Sequence, residues 1–250
     1  LIPPVFELVE WLDAPPYETW NGVLFANEVI DALPTPRFTL RDGEVFEEGV
    51  ALDGEGRFVR TDRPADALLS AAVRHVERYL DAPFPDGYRS ELLPQLPYWI
   101  QAVMGGLDKG VMLFADYGYP RREFYQADRD DGTLRAYYRH RVHNDAYLWP
   151  GLQDITASVD FTALAEAGTN AGFDLAGYTT QANFLLGNGL QERLDEAQAR
   201  ADEATLLRLR NEAKRLTLPS EMGERFQLMG FSRDGEFGAA FLFNDLSGRL

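Results

Sequence analysis

The sequence predicts an open α/β sheet, and three kinds of segment carry that expectation. Continuous apolar runs of strand length, 22–26 and 110–115, suit parallel strands buried on both faces. Apolar stripes at helical spacing lie between and after them. Alternating runs broken by Asp-Gly pairs mark antiparallel hairpins. Strands that alternate with helices build a mostly parallel sheet.

In chain order, Val5 to Leu12 reads as a short strand. It closes at Asp13-Ala14-Pro15-Pro16, because the residue before a proline is pushed out of the helical region. The run 22–26 is a strand that ends on Asn27-Glu28. Residues 37–62 alternate, with turn signals at Asp42-Gly43 and Asp53-Gly54-Glu55-Gly56, and read as a small antiparallel excursion. Leu68, Ala72, Val76 and Leu80, with Leu69 and Val73 beside them, form an apolar helical stripe. Pro97 opens a second helix with Trp99, Ile100, Val103 and Leu107 on its buried side, and Gly105-Gly106 ends it. The strand 110–115 stops at Asp116-Tyr117-Gly118. Residues 121–152 read as a polar, aromatic loop. Asp160 is placed to cap a helix that runs to Gly172. A strand over 173–178, a short helix over 181–186 and one long charged helix over 190–217 follow. Two runs, 226–231 and 238–243, flank Arg233-Asp234-Gly235-Glu236 as a closing hairpin.

Composition narrows the function classes. A 250-residue chain that is 45% hydrophobic and 26% charged can bury a sizeable core and is no disordered tail. The net charge of −16 disfavours nucleic acid and anionic membranes as partners, and is compatible with a basic protein. No apolar stretch approaches the roughly 20 residues needed to cross a bilayer. The first ten residues lack a basic start and carry Glu7 and Glu10, so no cleavable signal pattern opens the chain. The expected location is the bacterial cytoplasm, or the mitochondrial matrix in a eukaryote. Without cysteine there is no disulfide, thiolate zinc site or thiol nucleophile. His140 and His143 stand three apart, but a divalent metal needs three or four converging ligands, so no metal site is expected.

What remains is a set of carboxylates and aromatics. In open α/β sheets ligands bind beyond the carboxyl ends of the strands, and Asp13, Asn27-Glu28-Asp31 and Asp116-Tyr117-Gly118 fall at such ends. Each has a plain alternative. Asn27 could cap a helix with Glu28 and Asp31 in its first turn. Asp116, Asp154 and Asp160 could anchor turns. Arg135, Arg139 and Arg141 with Tyr137 and Tyr138 suit either an anion or a solvated edge strand.

Six ordered segments decide between these readings by resemblance. Asn27-Glu28-Val29-Ile30-Asp31-Ala32-Leu33-Pro34 resembles the N-E-x-x-D-A-L-P element of MidA-like S-adenosylmethionine-dependent methyltransferases. Asp116-Tyr117-Gly118 matches their D-Y-G. The stretch from Gly132 to His140 matches G-T-L-R-x-Y-x-x-H. The stretch from Pro150 to Phe161 is similar to P-G-x-x-D-I-T-A-H-V-D-F, with Ser158 where the histidine usually stands. Thr180-Gln181-Ala182-Asn183-Phe184-Leu185 and Met222-Gly223-Glu224-Arg225-Phe226 complete the series.

The resemblance implies a class I methyltransferase Rossmann-like sheet with an antiparallel terminal strand and a small β-hairpin excursion. It implies S-adenosyl-L-methionine as cofactor. The family's glycine-rich loop precedes the matched region, so the chain corresponds to the domain from its third strand onward. Asp13 would then approach the adenine, and Asn27 and Glu28 the methionine end of the cofactor. Glu28, Asp31, Asp116 and Asp154 become the catalytic candidates. Tyr117, Tyr137 and Asp160 would line the acceptor. Family members of known activity methylate an arginine of a partner protein, a respiratory-complex subunit, and a homodimer is compatible with the pattern. An assembly factor with little catalysis, and a small-molecule methyltransferase, are the competing expectations.

Overall fold

The structure is a computed structural model that describes residues 8–139 and 141–250. It runs from β1 (Trp20–Asn27) through a meander of β2 (Arg37–Arg41), β3 (Glu44–Leu52) and β4 (Phe58–Pro64). Helix α1 (Ala67–Glu77) follows, capped by the Asp66 carboxylate, which accepts from the Leu69 N–H at 2.8 Å. Next come β5 (Arg89–Glu91), α2 (Leu96–Met104) and the long β6 (Leu107–Tyr119). The region expected as a loop holds α3 (Arg121–Phe124), β7 (Arg135–Tyr138) and β8 (Arg141–His143), and ends before β9 (Asp154–Thr156) and β10 (Val159–Asp160). The chain ends with α4 (Phe161–Asn170), β11 (Asp174–Thr180), α5 (Gln181–Gly187), α6 (Leu190–Gln198), α7 (Glu203–Thr217) and β12 (Phe226–Arg233).

The central sheet has the order β1-β6-β12-β11. β1 and β6 are parallel, while β12 runs antiparallel between β6 and β11. The pleat of β6 sorts its side chains. Met112 and Phe114 face α2 and α4, where Ile100, Met104, Phe161 and Leu164 close the main core. Leu113 and Ala115 face a smaller cluster with Leu228, Ala240 and Phe241.

Several expectations are corrected. β6 does not stop at Ala115 but continues through Asp116 to Tyr119. It can do so because β12 pairs with it as far as Tyr117, and β10 then becomes its parallel neighbour, pairing Gly118 with Val159 and Tyr119 with Asp160. β1 is not buried on both faces: Leu24 and Ala26 pack on the core, while Val23 and Phe25 are 72% and 62% exposed. No described element covers that face. The strand expected over Val5–Leu12 falls partly outside the described residues. Leu8 to Leu12 find no strand to pair with, and Trp11 is 92% exposed. The second half of the closing hairpin, 238–243, is a series of turns. Phe241 folds flat onto the sheet instead, over Gly177 and Gly230, where a Cβ would come within 2.3 and 2.6 Å of its ring. The long helix over 190–217 is broken into α6 and α7, because Asp202 accepts from the Thr205 N–H at 2.8 Å and starts a new helix.

The excursion is larger than a hairpin. β5 joins its edge to give the order β4-β3-β2-β5. This sheet has a core of its own, in which Phe38, Leu40 and Val45 pack on Leu69, Val73 and Val76 of α1.

The handover from β1 to β10 along β6 rests on a glycine. An added Cβ on Gly118 would lie 2.1 Å from the Val159 carbonyl oxygen. Gly118→Ala is therefore expected to lower stability by about 1–3 kcal/mol, read by urea or thermal unfolding. Gly54→Ala, which meets no atom, should be close to neutral.

Candidate active site at the end of the parallel strand pair

The last pair of the β1–β6 ladder is Asn27 with Ala115. One step further, the Glu28 N–H still donates to the Ala115 carbonyl at 2.9 Å. Glu28 then turns the chain with φ +50°, and no helix follows, which removes the reading of Asn27 as a cap. The turn is held from β6. The N–H groups of Ile30 and Asp31 donate to Asp116 Oδ2 at 3.1 and 3.2 Å, and the Tyr117 N–H donates to Asp116 Oδ1 at 2.9 Å. The Asp31 carbonyl accepts from the Ala157 N–H at 3.0 Å, which ties in the link between β9 and β10.

This geometry stacks two carboxylates. Asp116 is buried beneath the turn and Asp31 sits above it. The Tyr117 hydroxyl donates to Asp31 Oδ2. Asp31 Oδ1 is buried and finds no hydrogen-bond partner among the described residues. Burial, and then the negative charge of Asp31, push the Asp116 carboxyl up to about 7. Burial also raises Asp31, against the opposing hydrogen bond from Tyr117. The Tyr117 phenol is pushed well above its ordinary value by burial and by its bond to Asp31.

Above the turn opens a cleft of roughly 710 Å³. It brings together Glu28, Asp31, Tyr117, Tyr137 and Asp154. The small sheet β8-β7-β9 supplies one wall, because Tyr137 pairs with Asp154 and Arg135 with Thr156 across β7 and β9. Cross-strand partners point to the same side of a sheet. Ser158 borders the cleft too and brings a hydroxyl to it.

Other expected residues lie elsewhere. Asn27 is exposed at the rim, its Nδ2 3.3 Å from Glu28 Oε1. Asp116 supports the cleft without lining it. Asp13 is exposed on the segment before β1 and does not border the cleft. Asp160 is buried away from it. It accepts from the Ala163 N–H at the start of α4 and from Arg121 Nε at 3.2 Å, while Arg121 grips Glu166 with both terminal nitrogens. That network borders a second, mostly apolar cavity of about 310 Å³. His143 packs edge-on against Trp149, and His140 lies outside the described residues. Sequence reasoning missed Arg129 and Arg225, which also line the cleft. They come from different parts of the chain and share no spacing that would have joined them.

The comparisons bear directly on this cleft. Residues 3–179 match a family described as "Putative S-adenosyl-L-methionine-dependent methyltransferase". The chain belongs to this family. The protein arginine methyltransferase NDUFAF7 of Danio rerio is 30% identical over 217 residues, covering 82% of this chain and 46% of the relative. Its Homo sapiens counterpart is 32% identical over 210 residues, covering 80% and 43%. The chain thus spans less than half the length of these curated relatives. Among solved structures, an uncharacterised superfamily protein from Burkholderia thailandensis superposes with a TM-score of 0.88 at 40% identity, covering all of this chain and 65% of that one. A second member from that organism, bound to S-adenosyl-homocysteine, gives a TM-score of 0.84 at 40% identity, covering 96% and 61%. The sheet, with β12 antiparallel between β6 and β11, is that of a class I methyltransferase.

The cofactor of this family is S-adenosyl-L-methionine. The residues at the end of β1 fit its cationic end. Glu28 and Asn27 present a carboxylate and an amide beside the unpartnered Asp31 Oδ1.

Asp116 has a measurable signature. Its folded-state pKa, about 7, lies above its ordinary 3.8. The folded state therefore favours the protonated form. That contribution is complete below about pH 4 and is lost as pH rises through about 7. The unfolding free energy, measured by urea titration at a series of pH values, should fall across this window. In Asp116→Asn the fall should flatten.

Proposed function

We propose that the chain forms the acceptor side of an S-adenosylmethionine-dependent methyltransferase whose substrate is an arginine side chain of a partner protein. The observation that carries this reading is Asp31 Oδ1. It is a buried carboxylate oxygen with no partner, held in orientation by Tyr117, in a cleft it shares with Glu28 and Asp154. Buried polar groups in native proteins are normally paired, so an unpaired one at a cleft marks the place of a ligand's donor. A guanidinium offers five N–H groups in a planar fork that carboxylates accept in pairs. The relatives named protein arginine methyltransferases support the same acceptor chemistry.

When bound, the cofactor supplies an electrophilic methyl group on a sulfonium. The chain's own part is binding, orientation and proton transfer. Glu28 and Asp154 hold the guanidinium by charge-assisted hydrogen bonds. Asp31 Oδ1 accepts the proton that the reacting nitrogen loses as its bond to the methyl carbon forms. Tyr117 fixes the rotamer of Asp31, and Asp116 fixes the turn that carries it. Tyr137 packs along the acceptor side chain. Alignment of nitrogen and methyl carbon accounts for much of such an acceleration.

The test is methyl transfer by the full-length protein to arginine-containing protein substrates. Asp31→Asn keeps the shape and removes the base, and should lower kcat by about 10²–10⁴-fold. Glu28→Gln should raise KM for the acceptor. Wild-type kinetics in both variants would end this reading.

A further inference from the structure

The floor of the cleft is acidic, yet its rim is not. Arg135, Arg139 and Arg225 are exposed there, and none has a carboxylate within ion-pair distance among the described residues. Other exposed arginines are unpaired among the described residues as well, Arg141, Arg200 and Arg215 included, but Arg135, Arg139 and Arg225 gather around one opening.

Their placement is ordered. Residues i and i+2 of a strand share a face, so Arg135 and Tyr137 project to the same side of β7. Arg139 lies just past Tyr138, the last residue of β7, and lines the same cleft. Arg225 stands one residue before β12, whose first residue, Phe226, pairs with Tyr117 and packs edge-on against its ring. The cationic row thus flanks the aromatic and carboxylate centre of the cleft.

Arg139 also has a backbone that its residue type does not favour. Four non-glycine residues have positive φ among the described residues: Glu28, Asp42, Arg139 and Asp234. Asp42 and Asp234 precede glycine in tight turns, where Asp is at home. Glu28 and Arg139, at φ +50° and +48°, are the exceptions, and both line this cleft. Strained residues of this kind gather at ligand sites.

We infer that the cleft selects a target arginine that carries acidic residues on either side of it in the acceptor protein. The inference rests on the acceptor reading above. The central guanidinium meets Asp31, Glu28 and Asp154, and the flanking carboxylates meet Arg135, Arg139 and Arg225. Arg135 and Arg139 are four residues apart, at most roughly 13 Å at about 3.3 Å per residue of strand. In an extended peptide centred at Tyr137, the matching acids stand about two residues before and after the target. Such rim charges govern specificity and encounter more than total affinity.

The experiment is fluorescence anisotropy of labelled peptides with the full-length protein. One arginine is flanked two residues away on each side by Asp, Ser or Lys, and each peptide is also made with citrulline in place of the arginine. The Asp-flanked peptide should bind about ten-fold tighter than the Ser-flanked one, and the Lys-flanked one weakest. High salt should shrink these differences. Arg135→Glu/Arg139→Glu should reverse the order. Equal binding of the three peptides, or an order that survives the double substitution, overturns the inference. If arginine peptides beat citrulline peptides but flanking charge has no effect, the inference fails and the acceptor reading stands. If flanking acids help while citrulline binds as well as arginine, the acceptor reading fails.

Discussion

The Asp116 carboxylate is the constraint on which the cleft depends. Buried at the point where β6 outruns β1, it accepts three backbone N–H groups, two of them from the turn that leaves β1. Without those bonds the turn would have buried donors with no acceptor, a loss of about 1–3 kcal/mol for each group. With them, Asp31 is delivered to a fixed position over the end of the sheet. The cost is electrostatic: two carboxylates sit close together out of water, and the lower one holds a proton up to about pH 7. The turn that presents Asp31 is therefore anchored by a second carboxyl group whose charge burial disfavours.

The second requirement is the switch of partners along β6. β1 ends opposite Ala115, and β12 carries the ladder on through Asp116 and Tyr117. Here Gly118 allows the β10 backbone to approach closely enough to continue the ladder. Asp116 and Tyr117 are held in the strand by β12, paired with Gln227 and Phe226, and remain beside the opening. The same handover brings β9 and the small sheet across the cleft, so that Asp154, Tyr137 and the arginine row face the end of β1.

Much of this was legible in the amino-acid pattern. The apolar runs around Phe25 and Phe114 are parallel neighbours in the central sheet, and the alternating stretch after Phe38 forms antiparallel strands. Glu28, Asp31 and Tyr117 stood out because polar residues directly after buried strands sit where α/β sheets bind ligands. The rest was hidden for physical reasons. β6 is longer than its apolar run because a neighbour far along the chain completes its hydrogen bonds. The turns around Phe241 look like a strand because alternating apolar residues also suit a cap that lays rings on glycines. Asp160 carries the same local signal as Asp154, and only Arg121, brought in from α3, separates a helix cap from a cleft residue. Arg135 and Arg139 are close in the sequence, and the fold alone brings Arg225 to them.

The most direct test of the stacked carboxylates is a carbon-13 NMR titration of the aspartate side chains in the folded protein. Asp116 should titrate near pH 7, and its step should vanish in Asp116→Asn and move to lower pH in Asp31→Asn. If every aspartate instead titrates below about pH 5, in the ordinary carboxylate range, the two groups are neither buried nor stacked as described, and the account of the cleft is wrong.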